Sequence, residues 1–386
     1  MAAQTVRELQ SSVGPIPMEL SVHVQLGKKL ERSTKNGDPY YELHFVDGSG
    51  VLKLRVWNST PMFPTCGQLV EKQFYEVTGQ FGRGNDGKSV DSRQWTVRAL
   101  NEDEVATMLQ GTGELREKQD KDYAFITNTV GEVKDPRLAA LGELFIKKFG
   151  KRMQRTAAAR DYHHARRGGL VEHVAQMMRS AVKISEAYPL LNQDLLVIGV
   201  LFHDVGKLWE NAYQETGFTM PYTEVSELLG HIPMGMEIVN KLWRELSEDH
   251  SVSDKWRLLE PSNERVRLHL LHLIASHHGE LAFGSPVVPK TPEAQALHYI
   301  DNLDAKMEMF EAGYPVADEL GKNVYQRIHP LPGKLVRPLE GFQSIADLEE
   351  AATEAESEPE NQNESESPSD LPIPEPTSEE LSSEPF

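Results

Sequence analysis

The stretch Leu201-Phe202-His203-Asp204-Val205-Gly206-Lys207 places a histidine and an aspartate side by side, directly after an apolar run. The run, residues 195–200, predicts a buried helix. Where such a helix reaches the surface, an imidazole and a carboxylate can bind one divalent cation, because nitrogen and oxygen donors suit first-row metals. Lys207 lies on the same helical face as His203 and suits an anionic substrate. An isolated His-Asp pair more often forms a hydrogen bond at a helix end. A metal site is therefore predicted only if residues elsewhere in the chain supply the missing ligands.

Further candidate ligands recur in or beside apolar helical segments, where an unpaired polar group would be costly. One such histidine would more often be a satisfied core residue. Five of them, with an aspartate at the end of the series, argue against that explanation. Their order predicts a helical bundle whose polar ends converge on a metal centre. The candidates are His173, His203, Asp204, His231, His277, His278 and Asp301.

Length and composition limit the class of protein. The chain of 386 residues can form two or more domains, and its single cysteine, Cys66, excludes an internal disulfide and a Cys-rich zinc module. Residues 1–12 lack the apolar core of a secretory signal, and no apolar run approaches the ~20 residues of a transmembrane helix. We therefore expect a cytoplasmic protein without a membrane partner.

The net charge of −19 comes mostly from the C-terminal end of the chain. Residues 345–386 hold 14 of the 59 acidic side chains and no Lys or Arg, so 45 acidic residues stand against 40 basic ones elsewhere. This composition predicts a disordered acidic tail. Residues 147–167, by contrast, hold eight Lys and Arg against Asp161 alone. That segment predicts either a phosphate-binding patch or a solvated helix face.

Residues 15–100 show short alternating runs separated by turn residues, which predicts a small antiparallel domain. Asp47-Gly48-Ser49-Gly50 and Asn85-Asp86-Gly87 are hairpin signals. Five strands in about 80 residues suit a Greek-key barrel of the OB type, whose exposed face commonly binds single-stranded nucleic acid. The predicted strands are 20–29, 40–46, 51–57, 74–81 and 89–100.

One strand of this predicted barrel carries a candidate substrate surface. Side chains alternate between the two faces of a strand, so Lys53 and Arg55 should face solvent while Leu52 and Leu54 face the core. Aromatic residues interleave with basic ones in this domain, although most of them also suit a barrel interior. We prefer nucleic-acid binding slightly over packing, with Lys53, Arg55 and Trp57 as the candidates.

Beyond residue 100 the pattern is helical. Residues 101–134 are predicted to connect the barrel to a second domain. Asp135-Pro136 predicts the cap and first turn of this all-α domain, which runs to 335. The predicted fold is therefore multidomain, with an N-terminal arm (1–14), a small β-barrel, the all-α domain and the tail. Helices are expected at 170–188, 194–209, 227–247, 264–278 and 292–312.

The order of the candidate ligands resembles that of the HD-domain metal-dependent phosphohydrolases. The flanking sequence resembles the YhaM-type OB plus HD 3′→5′ exoribonucleases, over most of residues 145–312. The barrel precedes this region, where the family has its OB domain. The resembling stretches are His163-His164 with 168–173, 194–207, Tyr222-Thr223 with 228–231, and 276–286 through 301–306.

The resemblance implies two divalent ions, with Mn²⁺ first and Co²⁺, Fe²⁺ or Ni²⁺ as alternatives. By matching position, His173, His203, Asp204 and Asp301 would bind one ion. Asp204 would also bind a second ion, and His231 and His277 would complete the ligands of that second ion. His278 would be a ligand or would orient one. Asp204 and Lys207 would be catalytic, with Lys207 on a phosphate oxygen or the leaving 3′-oxygen.

The resemblance also implies the substrate, single-stranded RNA shortened from its 3′ end, with single-stranded DNA as a second candidate. It implies that copies of the chain can assemble into a homo-oligomer. His163, His164, Arg166 and Arg167 are candidates for contacting phosphate near the entrance, and the alternative for them is an ordinary surface loop.

Two other functions stay open at this point. One is an HD phosphohydrolase or phosphodiesterase that acts on a small nucleotide, with the barrel in a regulatory role. The other is a non-catalytic RNA-binding scaffold with a degenerate HD domain, against which the intact ligand set argues.

Overall fold

The computed structural model describes residues 3–84, 89–111, 113–160, 164–315, 317–339 and 341, with only the backbone of Arg93. Three predictions lie outside these residues, namely the turn at 85–87, the position of His163 and the acidic tail 345–386. Within the described ranges, no helix combines the length and the apolar character needed to cross a membrane.

The N-terminal domain is an antiparallel sheet that curls until its two edge strands meet. Its strands are β1 (Met18–Ser33), β2 (Pro39–Val46), β3 (Val51–Trp57), β4 (Phe74–Arg83) and β5 (Val90–Ala99). Their order is β3-β2-β1-β4-β5, and β3 lies against β5. A short helix, α2 (Phe63–Gln68), connects β3 to β4. This is the strand order of a nearly closed OB barrel.

Strand β3 alternates strictly between the barrel interior and solvent. Leu52, Leu54 and Val56 are buried, and the side chains between them are exposed. The predicted orientation of Lys53 and Arg55 is therefore confirmed. Trp57 is 42% exposed, and its ring lies 4.7 Å from that of Tyr40 on β2.

The N-terminal arm is part of the barrel. Helix α1 (Val6–Ser12) begins with a capping box in which Thr5 and Glu8 bond each other's backbone N–H groups. Val6 and Leu9 are fully buried in the barrel core. A helix of two turns shows too little periodicity to stand out, which explains why the sequence predicted only an arm here.

The rest of the described chain is mainly helical, so the predicted fold class is confirmed. After the helices comes a small antiparallel sheet that the sequence did not indicate, made of β6 (Glu319–Gly321), β7 (Val324–Arg327) and β8 (Lys334–Val336). The helices are α3 (Glu102–Gln110), α4 (Gly113–Gly131), α5 (Pro136–Met153), α6 (Gly169–Ala187), α7 (Gln193–Phe202), α8 (Lys207–Glu210), α9 (Glu224–Leu229), α10 (His231–Glu248), α11 (His250–Ser253), α12 (Asn263–Ser276) and α13 (Pro292–Gly313).

Helix α4 contributes to the core of the helical domain, although it lies in the segment predicted as a connector. Ile126 and Val130 are buried in that core, and α4 packs along α6. Most of α4 is charged or polar, so its few apolar residues give little sign of a buried face.

Two predicted helices are interrupted, and both interruptions position polar side chains. Helix α7 is buried from Leu195 to Phe202 and ends there, so His203 to Gly206 form a turn before α8. The segment predicted as one helix at 227–247 is α9 followed by α10, because Gly230 adopts φ +70° between them.

The turn after α7 touches the start of α10. A Cβ atom on Gly206 would overlap the backbone carbonyl oxygen of His231. Only glycine therefore allows the turn and the first residue of α10 to approach this closely.

The barrel and the helical domain meet at residues 211–222. Phe218 packs edge-on against Phe74 of β4, with ring centroids 6.3 Å apart. The Phe218 N–H donates to Gln25 Oε1 at 2.8 Å. Arg160 and Arg167 donate to backbone carbonyls of the same segment. Residues 211–222 thus connect the two domains.

Replacing Leu9 with alanine tests whether α1 completes the barrel. We expect Leu9→Ala to lower the free energy of unfolding by about 2–5 kcal/mol, because it leaves a cavity in a packed core. Urea denaturation measures this change. The control is Ser11→Ala on the exposed side of α1, which should change the free energy of unfolding by less than about 0.5 kcal/mol. Equal stability of the two variants would contradict docking of α1.

Replacing Gly206 with alanine tests the close approach of the turn to α10. Gly206→Ala should destabilise the protein by about 1–3 kcal/mol, because the backbone must move to accept the methyl group. Gly131→Ala is the matched control, since a Cβ at Gly131 meets no atom within 4 Å. Thermal unfolding distinguishes them, and a neutral Gly206→Ala would show that the two backbones do not meet in solution.

Candidate metal centre

The predicted metal ligands come together at one place in the helical domain. His173 lies in the first half of α6, His203 and Asp204 in the turn after α7, and His231 at the first residue of α10. His277 follows the end of α12, and Asp301 lies in the middle of α13. His173, His203, Asp204 and His277 are buried. The convergence that the sequence predicted is therefore present.

A first group of donor atoms surrounds His173. Its Nε2 atom lies 3.3 Å from His203 Nε2 and 3.4 Å from Asp301 Oδ1. His203 Nε2 lies 3.3 Å from Asp204 Oδ2. An ion about 2.1 Å from each of two neighbouring donors holds them roughly 3.0–3.4 Å apart. The spacing of this group fits one divalent cation.

A second group surrounds the other oxygen of Asp204. His231 Nε2 lies 3.5 Å and His277 Nε2 lies 3.7 Å from Asp204 Oδ1. All three atoms are buried, and none has a hydrogen-bond partner among the described residues. Leaving three polar atoms in this state is costly unless a cation or an ordered water binds them. This donor set therefore fits a second ion.

Backbone acceptors orient two of the histidines. His203 Nδ1 lies 2.8 Å from the carbonyl oxygen of Val200, and His277 Nδ1 lies 2.8 Å from that of Ile274. Both histidines directly follow a helix, where the last carbonyls lack helical partners. When Nδ1 donates its proton to such a carbonyl, Nε2 keeps its lone pair for a metal.

His278 lies beside the second group. Its ring centroid is 4.3 Å from that of His277 and 5.1 Å from that of His231. Its Nδ1 donates to the Phe283 carbonyl at 2.7 Å, which leaves Nε2 without a proton. His231, His277 and His278 could together hold one ion. Whether His278 is a ligand stays a prediction.

Two carboxylates behind the histidines were not among the predicted site residues. Asp304 Oδ2 lies 2.6 Å from His173 Nδ1, and Glu210 Oε2 lies 3.2 Å from His231 Nδ1. Asp304 follows Asp301 by three residues on α13 and so shares its helical face, which is a signal that the sequence contained. Glu210 gave no such signal, because its position depends on the turn after α7.

The electrostatics keep three of the donors, Asp204, Asp301 and His277, in metal-binding form. Burial raises the pKa of Asp204, but the neighbouring Lys207 and His203 outweigh it and hold that pKa well below its usual range. Burial also raises the pKa of Asp301, and the hydrogen bond from His173 outweighs it. Burial, with His203 nearby, holds the pKa of His277 well below its usual range. The two aspartates are thus ionised and His277 neutral at pH 7.

The pKa of His173 moves the other way. Burial lowers this pKa, but the hydrogen bonds of His173 with Asp301 and Asp304 outweigh burial and raise it to about 10, so a cation at Nε2 must displace a proton.

Lys207 lies at the edge of the first group. Its Nζ atom is 2.6 Å from Asp204 Oδ2. Its charge thus lies next to the candidate ligands, as expected of a residue that holds an anion there. Contact with substrate stays a prediction.

The described residues just before α6 make internal contacts. His164 is buried, with Nε2 3.0 Å from Asp304 Oδ2. Arg166 forms ion pairs with Glu172 and Glu308. Arg167 donates to carbonyl oxygens in residues 214–217. Their guanidinium and imidazole groups have protein partners, and their predicted contact with phosphate is untested.

The chain is similar to known proteins. The family model of the HD domain matches residues 170–306. The 3′-5′ exoribonuclease YhaM of Oceanobacillus iheyensis is 31% identical over 279 residues, which cover 72% of this chain and 81% of the relative. A solution structure of the second OB-fold domain of replication protein A from Methanococcus maripaludis is 19% identical and covers 24% of this chain and 95% of that one, with a TM-score of 0.17. The chain belongs to the YhaM-type family of HD-domain proteins.

Proposed function

We propose that this protein is a metal-dependent 3′→5′ exoribonuclease that hydrolyses single-stranded RNA, with single-stranded DNA as a second substrate. The observation that carries the proposal is the pair of donor groups that share Asp204. Buried atoms without hydrogen-bond partners at Asp204, His231 and His277 suit a cation. The family relative named an exoribonuclease supports the substrate class.

The proposed ligands divide between two ions. His173, His203, Asp301 and Asp204 Oδ2 would hold the first. Asp204 Oδ1, His231 and His277 would hold the second, with His278 as an additional ligand. Imidazole and carboxylate donors without thiolate suit Mn²⁺, with Co²⁺, Fe²⁺ and Ni²⁺ as alternatives.

The chemistry follows from what the residues hold in place. Two ions held by these residues would lower the pKa of a water molecule and neutralise phosphodiester oxygens. Asp204 contributes an oxygen to each donor group, so both ions would depend on one carboxylate. Lys207 Nζ, beside Asp204, supplies a positive charge for a non-bridging phosphate oxygen or the leaving 3′-oxygen. Burial of the donors excludes bulk water from this side of the site.

The direction of degradation is part of the proposal and comes from the relative's name. The barrel, residues 15–100, would hold the strand while its 3′ end enters the helical domain, residues 135–335. The exposed side chains of Lys53, Arg55 and Trp57 on β3 support this role. The predicted homo-oligomer and cytoplasmic location stay predictions.

Loss of the His-Asp pair tests the activity. Purified full-length protein with Mn²⁺ should convert 5′-labelled single-stranded RNA into a ladder that shortens from the 3′ end. A variant with His203→Ala and Asp204→Ala should be slower by about 10³-fold or more, because bound metal contributes several kcal/mol. The matched control is His250→Ala with Asp254→Ala, an exposed pair whose side chains are 3.8 Å apart.

Other outcomes of this experiment would overturn the proposal. Hydrolysis of a mononucleotide or cyclic nucleotide without RNA shortening would assign a small-nucleotide phosphohydrolase. Absence of bound metal together with no cleavage of either substrate would leave an RNA-binding scaffold. Shortening from the 5′ end would contradict the proposed direction.

Substitutions on β3 test RNA binding by the barrel. Lys53→Ala with Arg55→Ala should weaken single-stranded RNA binding and reduce the slope of log K against log salt by about 1.4, because two phosphate contacts are lost. Trp57→Ala should weaken binding by about 1–3 kcal/mol through loss of stacking. Fluorescence anisotropy at several salt concentrations measures both effects.

The charge-matched control is Lys183→Ala with Arg257→Ala, which removes two exposed cations from the helical domain. It should leave the affinity and its salt slope close to those of the unaltered protein. If the β3 variants behave like this control, the barrel face does not bind the strand.

A further inference from the structure

The four main histidines of the metal centre meet two kinds of acceptor at Nδ1. His203 and His277 are oriented by backbone carbonyls three residues earlier. His173 Nδ1 instead bonds the carboxylate of Asp304, and His231 Nδ1 lies 3.2 Å from Glu210 Oε2, a charge contact without the alignment of a hydrogen bond. Each donor group therefore contains one histidine whose Nδ1 lies next to a carboxylate.

This difference follows from where each histidine lies in its helix. His203 and His277 follow helix ends, where carbonyl oxygens lack helical partners. His173 lies inside α6, where the preceding carbonyls accept the helix's own N–H groups. His231 begins α10, and the bend at Gly230 separates it from the last turn of α9. An acceptor for these two must come from elsewhere in the fold.

We propose that Asp304 and Glu210 are positioning residues, each serving one half of the metal centre. Asp304 orients His173 for the first ion, and Glu210 orients His231 for the second. A carboxylate that accepts the Nδ1 proton fixes the ring and increases the basicity of Nε2. This inference rests on the proposed two-ion site.

Separate contacts hold the two carboxylates in place. Asp304 also lies 3.0 Å from His164 Nε2. His164 in turn lies beside Glu308, to which Arg166 donates at 2.7 Å. Asp304 is therefore fixed by the segment that precedes α6.

Glu210 is fixed through its backbone. It is the last residue of the short helix α8, and its carbonyl oxygen accepts from Arg160 Nη2 at 2.6 Å. Arg160 also donates to the carbonyls of Met220 and Pro221. The support of Glu210 shares no described hydrogen bond with that of Asp304, so the two halves should respond to substitution independently.

The test counts bound ions and does not depend on activity. Isothermal titration of metal-free, full-length protein with Mn²⁺ should find two ions. Glu210→Gln and Asp304→Asn should each lower the affinity for one ion by about 10–100-fold and leave the affinity for the other unchanged. The matched controls are Glu215→Gln, in the loop that follows α8, and Glu311→Gln, on α13. Both alter exposed carboxylates, and both variants should bind the two ions normally.

A ligand variant identifies which ion each carboxylate serves. Asp301→Asn removes a proposed ligand of the first ion only. In the Asp301→Asn variant, adding Glu210→Gln should lower the affinity for the second ion by about 10–100-fold. Adding Asp304→Asn should leave the affinity for the second ion unchanged. A role in general stability would not produce this asymmetry. Thermal unfolding of the metal-free variants checks folding, and Asp304→Glu, which keeps the charge but moves the oxygen, replaces Asp304→Asn if that variant does not fold.

Several outcomes would overturn the inference. These are unchanged binding of both ions by Glu210→Gln or Asp304→Asn, equal weakening of both ions by either one, or a single ion in the unaltered protein. If the protein binds two ions with the expected asymmetry but does not shorten RNA, the inference stands and the proposed function fails.

Discussion

The burial of the Asp204 carboxylate is the constraint on which the helical domain depends. One oxygen faces His203, and the other faces His231 and His277. An ionised carboxylate at this depth is costly unless opposite charge surrounds it, and Lys207 supplies only part of that charge. The chain therefore brings α6, α10, α12 and α13 to the end of α7, the buried helix that carries this residue inward.

The sequence predicted the parts of the structure that depend on local pattern. The alternation of β3 and the positions of the candidate ligands beside apolar segments could be found without coordinates. Asp304 and Glu210 were missed, because recognising a hydrogen-bond partner requires knowing how helices are rotated and where a turn leads. Helix α1 is too short to show a period, and α4 is too polar to reveal its buried side.

Composition alone does not show which cations of the basic segment 147–167 face solvent, and Lys147, Lys148 and Lys151 do so on α5. The sequence predicted a phosphate patch or a solvated face, but several of its arginines contact the protein itself. Arg152 donates to the Leu208 carbonyl at 2.6 Å and lies over the Trp209 ring. Arg160 and Arg167 bind carbonyls of residues 210–221. The segment from the metal centre to the barrel is long and mostly irregular. The arginine N–H groups donate to its backbone carbonyls, which in regular secondary structure would accept from backbone N–H groups.

The packing of Phe218 joins the barrel to the chain segment that leaves the metal centre. Residues 211–222 touch the barrel through Phe218 and follow directly on Glu210 beside the metal centre. If the barrel holds the strand that the centre shortens, one strand must be long enough to reach both. The molecule would then act as a ruler, because a strand too short to reach both the barrel and the centre would keep contact with only one of them.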